Sequence, residues 1–394
     1  MNNTPYLVNH FLEHSALRSP DKVALICDGQ RLTYARIEAM ANKLANALRD
    51  NSICPGDRII IFLPNSVELV VSIFAVLKAQ AVFAVINATT KQDKLLFLAR
   101  NCRAKAMILP ARQWQLAENI QAGASSLKFT VFTGKKPEQM PKSSARHLFF
   151  EDIQDSNEDT RPPCILAEQD LACLIYTSGS TGDPKGVMSG HDNVVFAASS
   201  IITYLENRND DIVLNVLPLS FDYGLYQLLM TFKFGGTLVL EKSFTFPAQS
   251  LGLMASERVT GFPAVPIMFS ILLNMDLSSY DLSGLRYISN TAAALPSGHI
   301  SQIRDKFPGV TLYSMYGLTE TKRTLYLPPA QLDKRPDSVG IPIPGTEAWV
   351  EDESGKRLGS GQVGELVVRG RHVMRGYWEN PEATARRFRD GSDP

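Results

Sequence analysis

The feature that most constrains the fold is an alternation of apolar runs with amphipathic helical patterns over the first 190 residues. One helical stripe includes Ile37, Met40 and Ala41, whose spacing places them on one face of a helix. Continuous apolar runs follow at residues 58–63 and 81–86, and the second run comes directly after another helical pattern. Strands that alternate with helices form parallel sheets whose two faces are both covered. The sequence therefore predicts an α/β fold with largely parallel sheets.

The length of the chain predicts several structural units, because 394 residues exceed what a single hydrophobic core supports. We predict one α/β subdomain at residues 1–190 and a second, packed against it, at residues 191–337. A polar stretch at residues 135–170 is interpreted as a surface connection. Over residues 338–394, Gly and Pro recur between short β-prone runs, which predicts a small, antiparallel, β-barrel-like subdomain.

Composition and charge exclude several classes of function. Forty Lys and Arg residues balance forty Asp and Glu residues, so the chain lacks the basic excess typical of proteins that bind nucleic acid or anionic membranes. We therefore expect no nucleic-acid partner and no membrane partner. The five Cys residues are scattered and include no C-x-x-C pair, which indicates reduced thiols rather than a disulfide framework. The N-terminus has no signal-peptide pattern, and together these features predict a cytoplasmic protein.

A loop rich in hydroxyl groups and glycines follows the apolar run that ends at Tyr176. It consists of Thr177, Ser178, Gly179, Ser180, Thr181, Gly182, Asp183, Pro184 and Lys185. Glycines allow positive φ and bring backbone N–H groups close to an anion, while hydroxyl groups add further donors and the lysine adds a cation. The spacing is not that of a Walker A motif. We interpret the segment as a phosphate-binding loop of another kind; the alternative is a flexible Gly/Ser loop.

This loop resembles the phosphate-binding signature T-S-G-S-T-G-x-P-K-G of the AMP-forming adenylating superfamily. That superfamily contains acyl-CoA synthetases, luciferases and the adenylation domains of nonribosomal peptide synthesis. Further motifs resemble those of the family and occur in its order: L-T-Y at 32–34, L-K-A-Q-A at 77–81, Y-G-L-T-E at 316–320, G-E-L at 364–366 and R-G-Y-W at 375–378. One departure is Gln80, where the family usually has Gly. The resemblance covers essentially the whole chain and implies the family's N-terminal core, which has two α/β subdomains and a small β subdomain.

The resemblance also implies ATP and Mg²⁺ as cofactors. In such enzymes a substrate carboxylate attacks the α-phosphorus and pyrophosphate leaves, a reaction that depends on positioning and charge neutralisation. Lys185, Thr319 and Glu320 are implied as catalytic residues, with Glu320 as the Mg²⁺ ligand and Thr319 at the α-phosphate. Tyr316 is implied to stack near adenine, opposite the backbone of residues 290–293. The complete implied ATP-binding set is Thr177, Ser178, Gly179, Ser180, Thr181, Gly182, Lys185, Asn290, Thr291, Ala292, Ala293, Met315, Tyr316, Gly317 and Thr319.

Asp222 gives the best indication of which acid is activated. It lies among aromatic and apolar residues, where a carboxylate is costly to desolvate unless it meets a cation. The dipeptide Phe221-Asp222 resembles the F-D of amino-acid-activating adenylation domains, in which this Asp pairs with the substrate's amino group. The alternative is an Asp that caps the following helix. The implied substrate pocket consists of Phe221, Asp222, Tyr223, Tyr226, Pro263, Ile288, Asn290, Met315 and Arg323.

These residues lead to a specific functional hypothesis. The pocket holds two tyrosines and one methionine, and Arg323 is its only cation, which favours a small, mostly apolar amino acid. The string Y-G-L-T-E-T-K-R at 316–323 resembles free-standing enzymes that activate L-proline and load a carrier protein. We therefore expect adenylation of L-proline, followed by thioester transfer to the phosphopantetheine arm of a carrier protein. An acyl- or aryl-CoA synthetase of the same fold, or a non-catalytic ATP-binding module, are the alternatives.

The family continues beyond these motifs with a T-G-D motif, a hinge and a small mobile lid domain that carries a catalytic lysine. The sequence contains no counterpart of this continuation. We therefore expect the chain to represent the large N-terminal part of a longer enzyme. By itself it should adenylate poorly, because closure of a lid completes the site and excludes water.

Overall fold

The computed structural model describes residues 6–138, 140, 146–155, 158–177 and 183–388, and over these residues the chain is a mixed α/β protein. Its α-helices are α1 (His10–Arg18), α2 (Tyr34–Asp50), α3 (Val67–Lys78), α4 (Gln92–Asn101), α5 (Trp114–Gly123), α6 (Phe150–Gln154), α7 (His191–Leu205), α8 (Asp222–Phe234), α9 (Pro247–Ser256), α10 (Pro266–Leu273), α11 (Ser297–Lys306) and α12 (Pro381–Ala385). Its strands are β1 (Val23–Cys27), β2 (Gln30–Thr33), β3 (Arg58–Ile61), β4 (Val82–Val85), β5 (Ala106–Pro110), β6 (Phe129–Thr133), β7 (Arg146–Phe149), β8 (Leu171–Thr177), β9 (Lys185–Gly190), β10 (Ile212–Asn215), β11 (Thr237–Leu240), β12 (Gly261–Ala264), β13 (Tyr287–Asn290), β14 (Thr311–Tyr316), β15 (Leu325–Leu327), β16 (Ile341–Pro342), β17 (Glu347–Glu351) and β18 (Glu365–Arg369). The predicted fold class, with mostly parallel sheets in two packed subdomains, is confirmed.

The first sheet has seven strands in the order β7-β6-β5-β3-β4-β8-β9. Neighbouring strands are parallel except for β8 and β9, which form an antiparallel hairpin. Ile59 and Ile61 of β3 face one hydrophobic core, and Ile60 faces the other. Because both faces of the sheet are covered, its strands appear in the sequence as continuous apolar runs rather than as alternating patterns.

The second sheet has nine strands in the order β16-β15-β14-β13-β12-β10-β11-β1-β2. β1 lies parallel to β11, with Leu25 opposite Leu238, and β2 pairs antiparallel with β1. Residues 23–33 therefore belong to the sheet of the second subdomain, which corrects the predicted boundary at residue 190. Hydrophobic periodicity identifies a strand but not the neighbour with which it pairs, and this pairing is far apart in sequence.

The polar stretch at residues 135–170, interpreted above as a surface connection, contains a strand and a helix, β7 and α6. β7 lies parallel to β6 at the edge of the seven-stranded sheet, with Val131 opposite Leu148. An edge strand keeps one side open, so it tolerates polar residues such as Arg146 and His147. The interpretation as a connection is therefore wrong for β7 and α6.

The third unit was predicted as an antiparallel, barrel-like subdomain. Its strands β17 and β18 form an antiparallel pair in which Trp349 lies opposite Val367. β16 pairs instead with β15 and extends the nine-stranded sheet. Between residues 338 and 388, this unit therefore forms a two-stranded sheet rather than a barrel. Across the described ranges, no helix is both long and apolar enough to cross a lipid bilayer.

A buried ion-pair cluster joins α1, α2 and α3. The Lys78 side chain is 0% exposed, and its ammonium group donates to Glu13 Oε1 at 2.9 Å and to Glu38 Oε1 at 2.6 Å. Asn9 donates to the same Glu13 oxygen, and Arg161 lies 2.5 Å from the other one. Burial acts to raise the pKa of Glu13, but Lys78, Asn9 and Arg161 outweigh burial, and the pKa is lowered. One ammonium group therefore connects three helices.

Replacing Lys78 with Met should lower the free energy of unfolding by about 3–5 kcal/mol, because two largely buried carboxylates then lose their shared cation. Lys94→Met on α4 is the matched control, since Lys94 is exposed, and its effect should stay within about 0.5 kcal/mol. Urea unfolding of both variants and of the unmodified protein measures the difference. Equal effects of the two substitutions would contradict the prediction.

Three buried histidines should make the folded state sensitive to acid. Burial lowers the pKa of His10, His191 and His372 to about 4 in each case. Between the unfolded pKa of about 6.5 and this folded value, the unfolded chain binds protons that the folded chain does not bind. Stability should therefore fall as the pH falls, with three such groups approaching a loss of about 4 kcal/mol per pH unit near pH 5. Urea unfolding at a series of pH values measures this slope.

His191→Asn isolates one of the three contributions. His191 Nδ1 accepts a hydrogen bond from the Val8 amide at 3.0 Å, and Asn keeps an acceptor there while removing the titratable ring. The slope of stability against pH should then decrease by about one third. A slope equal to that of the unmodified protein would rule out a contribution from His191.

Candidate active site

The hairpin of β8 and β9 carries the predicted phosphate-binding loop between its two strands. Thr177 and Lys185 are cross-strand partners where the hairpin meets this loop. β8 runs parallel to β4, so the loop leaves the sheet at the carboxyl edge, where α/β proteins usually bind ligands. The intervening residues Ser178, Gly179, Ser180, Thr181 and Gly182 lie outside the described residues, and their role stays a prediction.

Residues 374–378, which contain the R-G-Y-W motif and are called the strap below, pair with the free edge of β9. The Met188 amide donates to the Gly376 carbonyl at 3.0 Å, and the Trp378 amide donates to the Gly186 carbonyl at 2.8 Å. Gly376 has φ +116°, and a Cβ atom there would lie 2.7 Å from the Thr384 side chain. Glycine is therefore required for the strap to lie against β9.

The strap also holds Glu320, the predicted Mg²⁺ ligand. The Tyr377 hydroxyl donates to Glu320 Oε1 at 2.5 Å, and the Met374 amide donates to the Glu320 carbonyl oxygen at 2.7 Å. Lys185 Nζ stands 5.4 Å from the centroid of the Tyr377 ring, so the ring lies close to both predicted catalytic groups. Tyr377 was not singled out from the sequence, although the R-G-Y-W motif contains it.

Glu320 lies in a tight turn that follows β14. Tyr316 ends β14, and a Cβ atom at Gly317 would lie 2.3 Å from the Lys322 carbonyl oxygen, so the turn requires glycine at that position. Thr319 and Glu320 follow within this turn, and both are partly exposed. A carboxylate oxygen is a ligand that Mg²⁺ prefers, so Glu320 fits the role implied by the sequence.

The predicted nucleobase pocket lies at the same edge of the second sheet. Asn290 is opposite Ser314 in the parallel pair of β13 and β14, so the residues after both strands emerge side by side. Asn290 and Thr291 are buried, whereas Ala292 and the residue after it are exposed. Ala292 has φ +75°, and the buried Asn290 Oδ1 has no hydrogen-bond partner within the described residues. Exposed backbone and an unpaired acceptor here fit the binding of a ligand.

Asp222, the predicted partner of the substrate's amino group, is bound to Arg323. Arg323 Nη1 lies 2.8 Å from Asp222 Oδ2, with side-chain exposures of 3% and 17%. The guanidinium carbon is also 4.6 Å from the centroid of the Tyr223 ring. Phe221 occupies the N-cap position of α8, so Asp222 is the first helical residue rather than the cap. Arg323 therefore already pairs with Asp222, whereas the sequence predicted that the substrate's amino group would be the partner of this carboxylate.

The other predicted pocket residues lie on neighbouring elements. The Tyr223 hydroxyl donates to the Ser289 carbonyl at 2.7 Å, which joins α8 to β13. Ile288 and Asn290 flank Ser289 on β13, and Pro263 lies opposite Ser289 on β12. The Met315 sulfur accepts a hydrogen bond from the Tyr204 hydroxyl at 2.8 Å. The buried Tyr226 hydroxyl has no hydrogen-bond partner in the described ranges. Phe221 is 54% exposed.

Lys322 is a buried residue that the sequence reasoning missed. Its side chain is fully buried, and its ammonium group has no hydrogen-bond partner among the residues that the structure describes. Burial lowers the pKa of Lys322 to about 8, although Cys173 and Asp222 act to raise it. The only sequence signal was the position of Lys322 directly before Arg323, in the T-K-R string.

The chain belongs to the AMP-binding enzyme family, whose model matches residues 12–378. Enzymes of this family are adenylating ligases that use ATP with Mg²⁺, and the placement of Lys185, Glu320 and Asn290 fits these cofactors. The chain is 29% identical over 404 residues to a long-chain-fatty-acid--CoA ligase of Bacillus subtilis (strain 168), covering 96% of this chain and 72% of that protein. It is 28% identical over 385 residues to gramicidin S synthase 2 of Brevibacillus brevis, covering 97% of this chain and 8% of that protein.

Solved structures give the same family and fold. The complex of VinN with L-aspartate is 31% identical, has a TM-score of 0.82 and covers 96% of this chain and 92% of that chain. The anthranilate CoA ligase AuaEII in complex with anthranoyl-AMP is 26% identical, has a TM-score of 0.89 and covers 98% of this chain and 74% of that chain. The recognition of an AMP-forming adenylating enzyme is thus confirmed.

Lys322→Met should raise the free energy of unfolding by about 1–3 kcal/mol, because an unpaired buried ammonium group is replaced by an apolar chain of similar length. The change in the free energy of unfolding is therefore opposite in sign to that expected for Lys78→Met, where the ammonium group has two partners. Urea unfolding of the two variants compares both lysines in one protein. A destabilised Lys322→Met variant would show that the ammonium group has a structural partner.

Proposed function

We propose that the chain converts an amino acid and ATP into the aminoacyl adenylate and pyrophosphate, and then transfers the acyl group to the phosphopantetheine thiol of a carrier protein. The observation that carries this proposal is the pair of Asp222 and Arg323. A partly buried carboxylate next to the acid pocket is suited to an ammonium group and has no use in binding a plain fatty acid. Arg323 engages Oδ2 of Asp222, which leaves Oδ1 for the substrate's ammonium group.

The surrounding charges favour a substrate that carries a second carboxylate. Arg323 and Lys322 are two buried cations next to one carboxylate, Asp222. The other acidic neighbours of Lys322 have contacts of their own. Asp192 pairs with Arg375 at 2.9 Å, and the Glu320 carboxylate accepts a hydrogen bond from the Tyr377 hydroxyl. The substrate's ammonium group would add to this excess of positive charge, and a second carboxylate on the substrate would offset part of it. The similar VinN was solved with L-aspartate, an amino acid of this class.

L-Proline is the alternative amino acid, and it rests on the T-E-T-K-R string. Its secondary ammonium group could pair with Asp222, but its side chain offers nothing to Arg323 or Lys322.

An acyl- or aryl-CoA synthetase is the second candidate function. Its support is that Arg323 already neutralises Asp222, so that an acid without an amino group would leave no unpaired charge. A non-catalytic module is disfavoured by the presence of Lys185 and Glu320 together next to the Tyr377 side chain.

Amino-acid-dependent ATP–pyrophosphate exchange by the full-length protein tests the proposal. The panel contains L-aspartate, L-proline, other small amino acids, aryl acids and fatty acids. We expect exchange with L-aspartate or a related amino dicarboxylic acid. Asp222→Ala should lower kcat/KM for that acid by about 30- to 5,000-fold, which corresponds to about 2–5 kcal/mol. The exposed Asp210→Ala serves as the control and should leave kcat/KM unchanged.

The outcomes separate the candidates. Exchange with L-proline alone would keep Asp222 as the partner of the substrate's amino group. It would contradict the proposal that the substrate carries a second carboxylate. Exchange only with acids that lack an amino group would contradict amino acid activation while leaving the family intact. Arg323→Gln should impair exchange with L-aspartate more than exchange with L-proline. Mass spectrometry after addition of CoA or of a carrier protein identifies the thiol acceptor.

A further inference from the structure

Tyr377 contacts Glu320 but has no role in the reaction as described so far. Its hydroxyl donates to one carboxylate oxygen of Glu320 at 2.5 Å, a short contact typical of a hydrogen bond to a charged acceptor. The other carboxylate oxygen is left for a metal ion. Tyr377 itself is 4% exposed and packs with Val187 and Met374 in a small apolar cluster.

The backbone around Tyr377 is fixed at several points. The Tyr377 amide donates to the Thr384 hydroxyl at 2.9 Å, and Tyr377 forms an antiparallel bridge with Val187 of β9. The Met374 amide binds the backbone of Glu320 at 2.7 Å, so the strap holds this residue at both its main chain and its side chain. A carboxylate held in this way has little freedom to change its orientation.

We propose that Tyr377 is a positioning residue that orients Glu320 for Mg²⁺ and thereby sets the metal affinity of the nucleotide site. The inference rests on the proposed function through the assignment of Glu320 as the metal ligand. When bound, the metal supplies charge neutralisation at the phosphates. Groups that hydrogen-bond a metal ligand typically change metal affinity or activity by about 10- to 100-fold when they are removed. Tyr377 is such a group on Glu320, and it lies on a different element from the ligand.

Mn²⁺ binding, followed by electron paramagnetic resonance, tests this role without requiring turnover. The full-length protein is titrated with Mn²⁺ in the presence of α,β-methylene-ATP. Tyr377→Phe should weaken Mn²⁺ affinity by about tenfold or more, while binding of the nucleotide without metal stays unchanged. A purely structural role would weaken both affinities together.

Tyr176→Phe is the matched control. Tyr176 also donates one hydrogen bond through its phenol, to Asn101 Oδ1 at 2.6 Å, but this bond does not involve Glu320. Mn²⁺ affinity in Tyr176→Phe should equal that of the unmodified protein. If Tyr377→Phe fails to fold, Thr384→Val replaces it, because that substitution removes the acceptor of the Tyr377 amide and loosens the strap. Undiminished Mn²⁺ affinity in the folded variant overturns the inference.

Failure of the proposed function is recognised separately. If the unmodified protein exchanges pyrophosphate with no acid of the panel, the proposed function fails, and the Mn²⁺ titration still reports on Tyr377. If exchange occurs but Tyr377→Phe and Tyr176→Phe require the same Mg²⁺ concentration for half-maximal rate, the positioning role fails and amino acid activation stands.

Discussion

The pairing of the strap with β9 is the interaction on which the site depends. Lys185 belongs to the seven-stranded sheet, whereas Glu320 follows a strand of the nine-stranded sheet, so their relative position is not set by either sheet alone. The strap hydrogen-bonds to β9 on one side and to Glu320 on the other. It also covers the free edge of the first sheet, which would otherwise expose unpaired N–H and C=O groups. A single segment thus closes an edge and joins the two sheets at the predicted catalytic groups.

The two buried lysines illustrate how structural and binding charges differ. Lys78 meets two carboxylates and joins three helices, so its charge is compensated within the fold. Lys322 lies just as deep but donates no hydrogen bond within the described residues, and its residue adopts φ +56°, which a side chain rarely favours. A fold gains no stability from such a group. An uncompensated charge and an unfavourable backbone conformation at one residue next to the acid pocket are more consistent with ligand binding.

The elements that were predictable from the sequence are those whose signal is local. The apolar run at residues 81–86 and the helical pattern before it depend only on neighbouring residues, and the structure contains them as β4 and α3. The placement of β1 beside β11 could not be predicted, because the partner lies over 200 residues away. The same limit applies to the site: Asp222 was identified by its surroundings in sequence, but its pairing with Arg323, 101 positions later, becomes visible only in the fold.

Backbone geometry constrains the candidate ATP site, whereas side chains determine the predicted acid pocket. Overall sequence similarity to other proteins is therefore informative about the first and not about the second. The candidate ATP site depends on backbone geometry, since Gly317 and Gly376 have no room for a side chain. The predicted acid pocket instead involves side chains on α8, β13 and the turn before β15, which can be exchanged without altering the backbone. Proteins of nearly equal identity to this chain are therefore free to activate different acids. The charges of Asp222, Lys322 and Arg323 carry information about the substrate that overall identity cannot supply.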